Sequence, residues 1–342
     1  MAATAAQPSD AARGRAVTLA GAAEFLSAHD DFLLVSHVRP DGDCVGSMVG
    51  LALALESLGK RVACYNVSAP LGPKLNFLEG AEKVSAKLPE WTPRCTVFVD
   101  CGAIHRVGEG FTPMGPSLNI DHHLSNEGFG DLNYIDIDVA AVGEQVWLLC
   151  AELGVEVTPP IASAIYLSVM ADTGSFKYSN TTGKTLALAG KLAELGADVA
   201  TIASAHYESR DFSEMKLSGI ALSRLTLEFD GALVWGEILR GDYLQFGGED
   251  AEPEGLVNEM RQILGVQVSM LIHERPSGGA RVGFRGKGMV DVAAIAAELG
   301  GGGHFNAAGA VLPPGDYQQI RQRILEIARR HMAAAVARRN GA

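Results

Sequence analysis

Short apolar runs alternate with longer stretches of helical period along the first half of the chain. Residues 32–36 and 95–99 are apolar on successive positions, as in strands covered on both faces within a parallel sheet. Residues 61–66 and 118–120 read as two further strands. Helical spacing marks residues 18–29, 45–58, 140–153 and 160–170, and Gly59 supplies a stop for the second of these. Strand–helix alternation predicts an α/β fold with a doubly wound, mainly parallel sheet, whose ligands bind outside the carboxyl ends of the strands.

From residue 182 to 229 the pattern is helical throughout, which suits a connector. Beyond it the rhythm changes. Strands are expected at 232–238, 266–273 and 281–285, with helices near 254–264, 291–299 and 317–335, giving a second, smaller α/β domain. The expected division is a disordered N-terminus at 1–17, a catalytic domain at 18–197, a helical connector at 198–229 and a substrate-binding domain at 230–342.

Charge and composition narrow the function. The 342 residues carry 40 acidic against 28 basic side chains, a net charge of −12, which disfavours coating long nucleic acid through phosphate contacts. No apolar run approaches a membrane span or a signal-peptide core, so a cytoplasmic protein without a membrane partner is expected. Five cysteines, odd in number and never spaced C-x-x-C, read as buried reduced thiols; Cys44 and Cys101 adjoin candidate ligands but are read as small core residues.

Candidate chemistry gathers where strands end. His37-Val38-Arg39-Pro40-Asp41-Gly42-Asp43 follows the first buried strand, and Pro40 and Gly42 predict a tight turn that points Asp41 and Asp43 at two neighbouring places. Asp100 closes the next strand, Asp121-His122-His123 another, and Asp172 ends an apolar helix. Each alone fits a solvated loop or helix end. Together, four segments present Asp or His to one sheet edge, and histidine is the commonest side-chain metal ligand. Two tempting motifs fail: residues 182–185 lack the earlier glycine of a P-loop, and Gly108-Glu109-Gly110 has Pro113 where a dinucleotide fingerprint needs glycine.

This set, in this order, resembles the DHH phosphoesterase superfamily, through residues 37–43, 97–100, 119–123 and 171–174. In the second lobe Gly300–Gly303 followed by His304 is similar to the G-G-G-H signature of the DHH-associated domain. The segment Gly283-Phe284-Arg285-Gly286-Lys287-Gly288 resembles the nano-RNase/pAp phosphatase branch, with Gly286 where that branch has serine. The resemblance implies two divalent ions, usually manganese: His37, Asp41 and Asp100 on one, and Asp43, Asp100, His122 and Asp172 on the other. It further implies that the ions activate water for attack on phosphorus, that His123 contacts phosphate, and that Asp121 orients a histidine. Arg285, Lys287, Gly302, Gly303 and His304 would bind substrate. The expected substrates are oligonucleotides of about two to five nucleotides, too short to need an extended basic groove. The nucleotide bisphosphate pAp, cyclic di-AMP and its linear product pApA are admitted too, and a homodimer is expected. The alternatives are a DHH-type inorganic pyrophosphatase, which should carry a denser basic site in its second lobe, a long-strand exonuclease of the same superfamily, which should be larger and carry added nucleic-acid-binding modules, and a nucleotide sensor without turnover.

Overall fold

A computed structural model of the chain describes residues 14–246, 253 and 255–340, the side chains of His304, Arg339 and Asn340 excepted. The chain divides into two compact units, Met1–Ser209 and Arg210–Ala342, a division that falls inside the segment 198–229 expected as a connector.

The first unit contains β1 (Arg15–Ala16), α1 (Leu19–Ala28), β2 (Phe32–Val35), α2 (Gly42–Ser57), β3 (Val62–Tyr65), α3 (Pro73–Asn76), β4 (Val84–Ser85), β5 (Cys95–Val99), β6 (Ser117–Asp121), β7 (Leu132–Ile135), α4 (Val142–Glu152), α5 (Pro159–Asp172), α6 (Gly183–Glu194) and α7 (Val199–Tyr207). Its seven strands run in the order β1-β7-β6-β5-β2-β3-β4, all pairs parallel. Alternate positions of the central strands face two cores. Leu34, Val97, Val99 and Ile120 pack with Leu26, Met48, Val146 and Ile165 of the helices, while Leu33, Val35 and Phe98 pack with Cys101 and Val107 on the other face. The expected disordered N-terminus is corrected in part: residues 1–13 lie outside the described residues, but Arg15 and Ala16 pair with Leu132 and Asn133 as an edge strand.

A second correction concerns the start of α2. The tight turn expected at Pro40–Gly42 is a helix start: Asp41 caps α2 by accepting the Cys44 N–H at 3.0 Å, and Gly42 and Asp43 are already helical. Glycine is needed here for space. A β-carbon on Gly42 would lie 2.5 Å from the Ala171 β-carbon, and one on Gly46 2.4 Å from the Ala164 carbonyl oxygen, so α2 and α5 meet backbone to backbone.

The second unit contains α8 (Phe212–Ser223), β8 (Thr226–Glu228), β9 (Leu233–Ile238), α9 (Arg240–Phe246), α10 (Leu256–Met260), β10 (Val268–Glu274), β11 (Ala280–Gly286), α11 (Val292–Glu298), β12 (Gly302–His304), β13 (Ala307–Leu312) and α12 (Tyr317–Asn340). The region read as helical throughout is thus three helices and a strand. Six strands form a mixed sheet, order β12-β13-β11-β10-β9-β8, parallel only between β9 and β10. Met270, Ile272 and Phe284 pack beneath α11 and α12, whereas Val234 and Leu271 pack with α8, α9 and α10. The glycine run is not the loop its composition suggests: Gly302 and Gly303 pair with Gly309 and Ala308 at the sheet edge. A β-carbon on Gly301 would come 2.1 Å from the Gly309 carbonyl oxygen, so this close pairing requires glycine.

Candidate metal centre

β2, β5 and β6 lie side by side and parallel, so the residues that follow them leave at one edge of the sheet. Asp100 does so sharply: its backbone sits at φ 55°, in the left-handed region, and its N–H donates to the Ile120 carbonyl at 3.0 Å. A non-glycine residue held there costs of order 1 kcal/mol and persists only where its surroundings fix it. Helices supply the other two carboxylates, Asp43 from the first turn of α2 and Asp172 from the last residue of α5.

Asp43 is fully wrapped. Its Oδ1 accepts from the Ser168 hydroxyl at 2.6 Å and the Ser47 hydroxyl at 2.9 Å, while Oδ2 accepts the Val142 N–H at 3.0 Å, at the amino end of α4. Ser168 Oγ also accepts the Gly143 N–H at 2.8 Å. His37 is oriented by its Nδ1 against the Val38 carbonyl at 2.9 Å, which leaves Nε2 3.4 Å from Asp100 Oδ2. Buried Asn66 braces this loop, donating 2.8 Å hydrogen bonds to Ser36 Oγ and the His37 carbonyl.

Nε2 of His122 lies 3.6 Å from Asp43 Oδ2, 3.8 Å from Asp100 Oδ1 and 3.6 Å from Asp172 Oδ2. These separations exceed a hydrogen bond and suit atoms that would share a cation. His123 is held differently: its Nδ1 hydrogen-bonds Asp121 Oδ1 at 2.7 Å, and Asp121 Oδ2 accepts from the Asn126 amide at 2.5 Å. Asp121 therefore orients His123, not His122.

The donors fit divalent ions. Burial pushes the carboxyls of Asp43 and Asp100 up, Asp100 well up, and burial followed by the Asp43 charge brings Asp172 to about 7. Asp100 Oδ1 is buried without a hydrogen-bond partner among the described residues. A group of buried, mutually repelling carboxylates with an orphaned oxygen is what a cation would relieve. Three sets of donor atoms lie within 4.8 Å of one another: His37, Cys44 and Asp100; Asp100, His122 and His123; Asp43, His122 and Asp172. Asp41 stands outside all three, its Oδ1 engaged as the cap of α2. Cys44, read from the sequence as a small core residue, is fully buried; Ser168 and Asn66 act across long stretches of chain and carry no local signal, and neither does Asn126, five residues from Asp121.

In the second unit Arg285 donates from Nε to the Asn258 side chain at 2.9 Å and from Nη1 to its own neighbour's carbonyl at 2.9 Å, while Lys287 is exposed. At Gly286 a β-carbon would meet Val290 O and Val292 Cγ1 at 3.3 Å each, a tight fit that a small side chain would enter only with a slight shift of its neighbours. Gly302 and Gly303 are exposed on the edge strand, and the His304 side chain lies outside the described residues. Thr182 caps α6 by accepting the Thr185 N–H, so the P-loop imitation is a helix start. All five cysteines are buried and unpaired, and no helix of the described residues is long and apolar enough to cross a membrane.

The chain matches known proteins over most of its length. Residues 31–169 match the N-terminal domain of the DHH family and residues 239–330 the DHHA1 domain. The bifunctional oligoribonuclease and PAP phosphatase NrnA of Thermus thermophilus is 35% identical, over 92% of this chain and 94% of that protein. The protein of the same name from Bacillus subtilis is 31% identical over 83% of this chain and 90% of its own length. In fold, the chain is similar to an exopolyphosphatase-related protein from Bacteroides fragilis at 24% identity, with a TM-score of 0.82 covering 90% of this chain and 95% of the other. The chain belongs to the DHH phosphoesterase family, in its oligoribonuclease and PAP phosphatase branch.

Proposed function

We propose that this protein hydrolyses oligonucleotides of about two to five nucleotides, such as pApA, to 5′-mononucleotides, and pAp to AMP, with cyclic di-AMP as a further substrate. The observation that carries the reading is the position of His122 Nε2, 3.6–3.8 Å from oxygens of three separate carboxylates. His37, Asp41 and Asp100 would hold one divalent ion, and Asp43, Asp100, His122 and Asp172 a second; mixed imidazole and carboxylate donors favour manganese. Two such ions supply Lewis-acid stabilisation of phosphoryl oxygens and a more acidic water.

The chain's own groups supply the rest. Asp121 fixes His123 with the Nδ1 proton directed at its carboxylate, so Nε2 is the atom turned to substrate. That hydrogen bond raises the His123 pKa, and the ring so oriented can bind a phosphoryl oxygen and donate the Nε2 proton to the departing oxygen. In the second unit Arg285, Lys287, His304 and the amides of Gly302 and Gly303 are assigned to the substrate's phosphates. The two relatives named as oligoribonucleases and PAP phosphatases support this substrate class.

Initial rates of the manganese-loaded, full-length protein on pApA, pAp, cyclic di-AMP, pyrophosphate and a long single strand test the reading. Release of AMP from pApA and pAp is the expected result. Rapid pyrophosphate cleavage with no reaction on any nucleotide would overturn it.

A further inference from the structure

The His37 side of the centre contains a donor that neither the sequence reading nor the expected ligand set uses. Cys44 is fully buried in the first turn of α2, and its Sγ lies within 4.8 Å of donor atoms of both His37 and Asp100. Asp41, the carboxylate expected to complete that position, belongs to no such cluster and commits one oxygen to capping the helix. The partners of Cys44 are themselves prepared for a ligand. The His37 ring is fixed through Nδ1, leaving Nε2 3.4 Å from Oδ2 of Asp100, a carboxylate that is 98% buried; its other oxygen, Oδ1, is turned to His122.

We propose that Cys44 Sγ, His37 and Asp100 form a binding position for a thiophilic divalent cation of the zinc class, which competes there with manganese. The inference rests on the metal-centre reading above and adds to it the sulfur donor. Thiolate is a soft ligand that selects zinc and cobalt over manganese, and zinc already binds mixed nitrogen, oxygen and sulfur sets more tightly than manganese does. On binding, the sulfur–metal bond forms as the thiol proton leaves to the buffer. A hard ion such as manganese gains little from that exchange and would sit on the imidazole and carboxylates alone.

The test uses the full-length protein, stripped of metal by chelator and reloaded with cobalt(II) without oxygen. A sulfur-to-cobalt charge-transfer band in the near ultraviolet is expected for the wild type and for Cys64→Ala, which removes a buried thiol from outside the cluster. Cys44→Ala and Cys44→Ser should both retain cobalt and lose the band, and the serine variant, nearly equal in volume, guards against an effect of misfolding. In zinc–manganese competition by equilibrium dialysis, Cys44→Ser should lower the preference for zinc about tenfold or more. Cobalt bound to the wild type without the band, or a band that survives Cys44→Ala, would overturn the sulfur assignment while leaving the metal centre in place. Failure of any metal to bind would instead take down the metal-centre reading and this inference with it.

Discussion

Ser168 offers a measurable link between a buried hydroxyl and metal affinity. Its Oγ donates to Asp43 Oδ1 at 2.6 Å and accepts the Gly143 N–H at 2.8 Å, at a point where the serine is fully buried. Ser168→Ala removes both contacts and leaves Ser47, at 2.9 Å, as the one side-chain donor recorded on that oxygen. A hydrogen bond to a buried charged group is worth roughly 1.5–3 kcal/mol. Because burial already disfavours the ionised Asp43, that loss falls on the form able to bind a cation. Manganese affinity should therefore fall about 10- to 100-fold, the range typical of groups that orient a metal ligand. Titration of chelator-stripped protein with manganese, followed by calorimetry, reads the change. Circular dichroism and thermal unfolding in chelator show whether the variant is folded. A folded Ser168→Ala protein with wild-type manganese affinity would refute the claim that Ser168 holds Asp43 in its binding form.

Asp100→Asn should weaken both metal positions together, because the Asp100 carboxylate faces His37 through Oδ2 and His122 through Oδ1; two ions still retained on metal analysis would exclude the bridge. His123→Gln should lower kcat by about 10²–10⁴ with bound metal unchanged, and full turnover across pH would remove His123 from the reaction. Stability in acid has a separate source in the second unit. Burial lowers the pKa of His273 from 6.5 to about 4, with its Nδ1 at 2.6 Å from the Tyr243 hydroxyl. The folded imidazole is thus neutral where the unfolded one gains a proton. This contribution is complete above pH 6.5 and lost as pH falls towards 4. The loss amounts to about 3 kcal/mol by linkage. Urea unfolding of the full chain at stepped pH should show it, and His273→Leu should flatten that part of the profile.

Legibility of the sequence followed the range of the forces involved. β5 was read with its observed limits because five successive residues are buried on both faces, a pattern visible without knowing any neighbour. β4 and β7 were missed: one has only two residues, and the other interleaves Asn133 among partly exposed positions. The start of α2 was misplaced because proline and glycine close together normally announce a turn; the reason for Gly42 lies at Ala171, far along the chain. The pairing of the glycine run is hidden for the same cause, since its close partner Gly309 declares itself only once β13 is paired. Most of the proposed ligands were legible because they sit at the ends of buried elements, whereas the hydroxyls and amides that steady them carry no local mark.

The contact between α2 and α5 bears on how such a centre can change over evolutionary time. Asp43 rides on one helix and Asp172 on the other, and the helices touch where Gly42 and Gly46 meet Ala171 and Ala164. The span between these two carboxylates, both assigned to the same ion, is consequently inherited from an interface of small residues, while the identity of that ion is a matter for the ligands. Selection acting on ligands alone could trade one metal for another but would leave the span between these two carboxylates as it was. Lineages that needed a wider or narrower site for that ion would first have to accept a new side chain in a seam with no room for one.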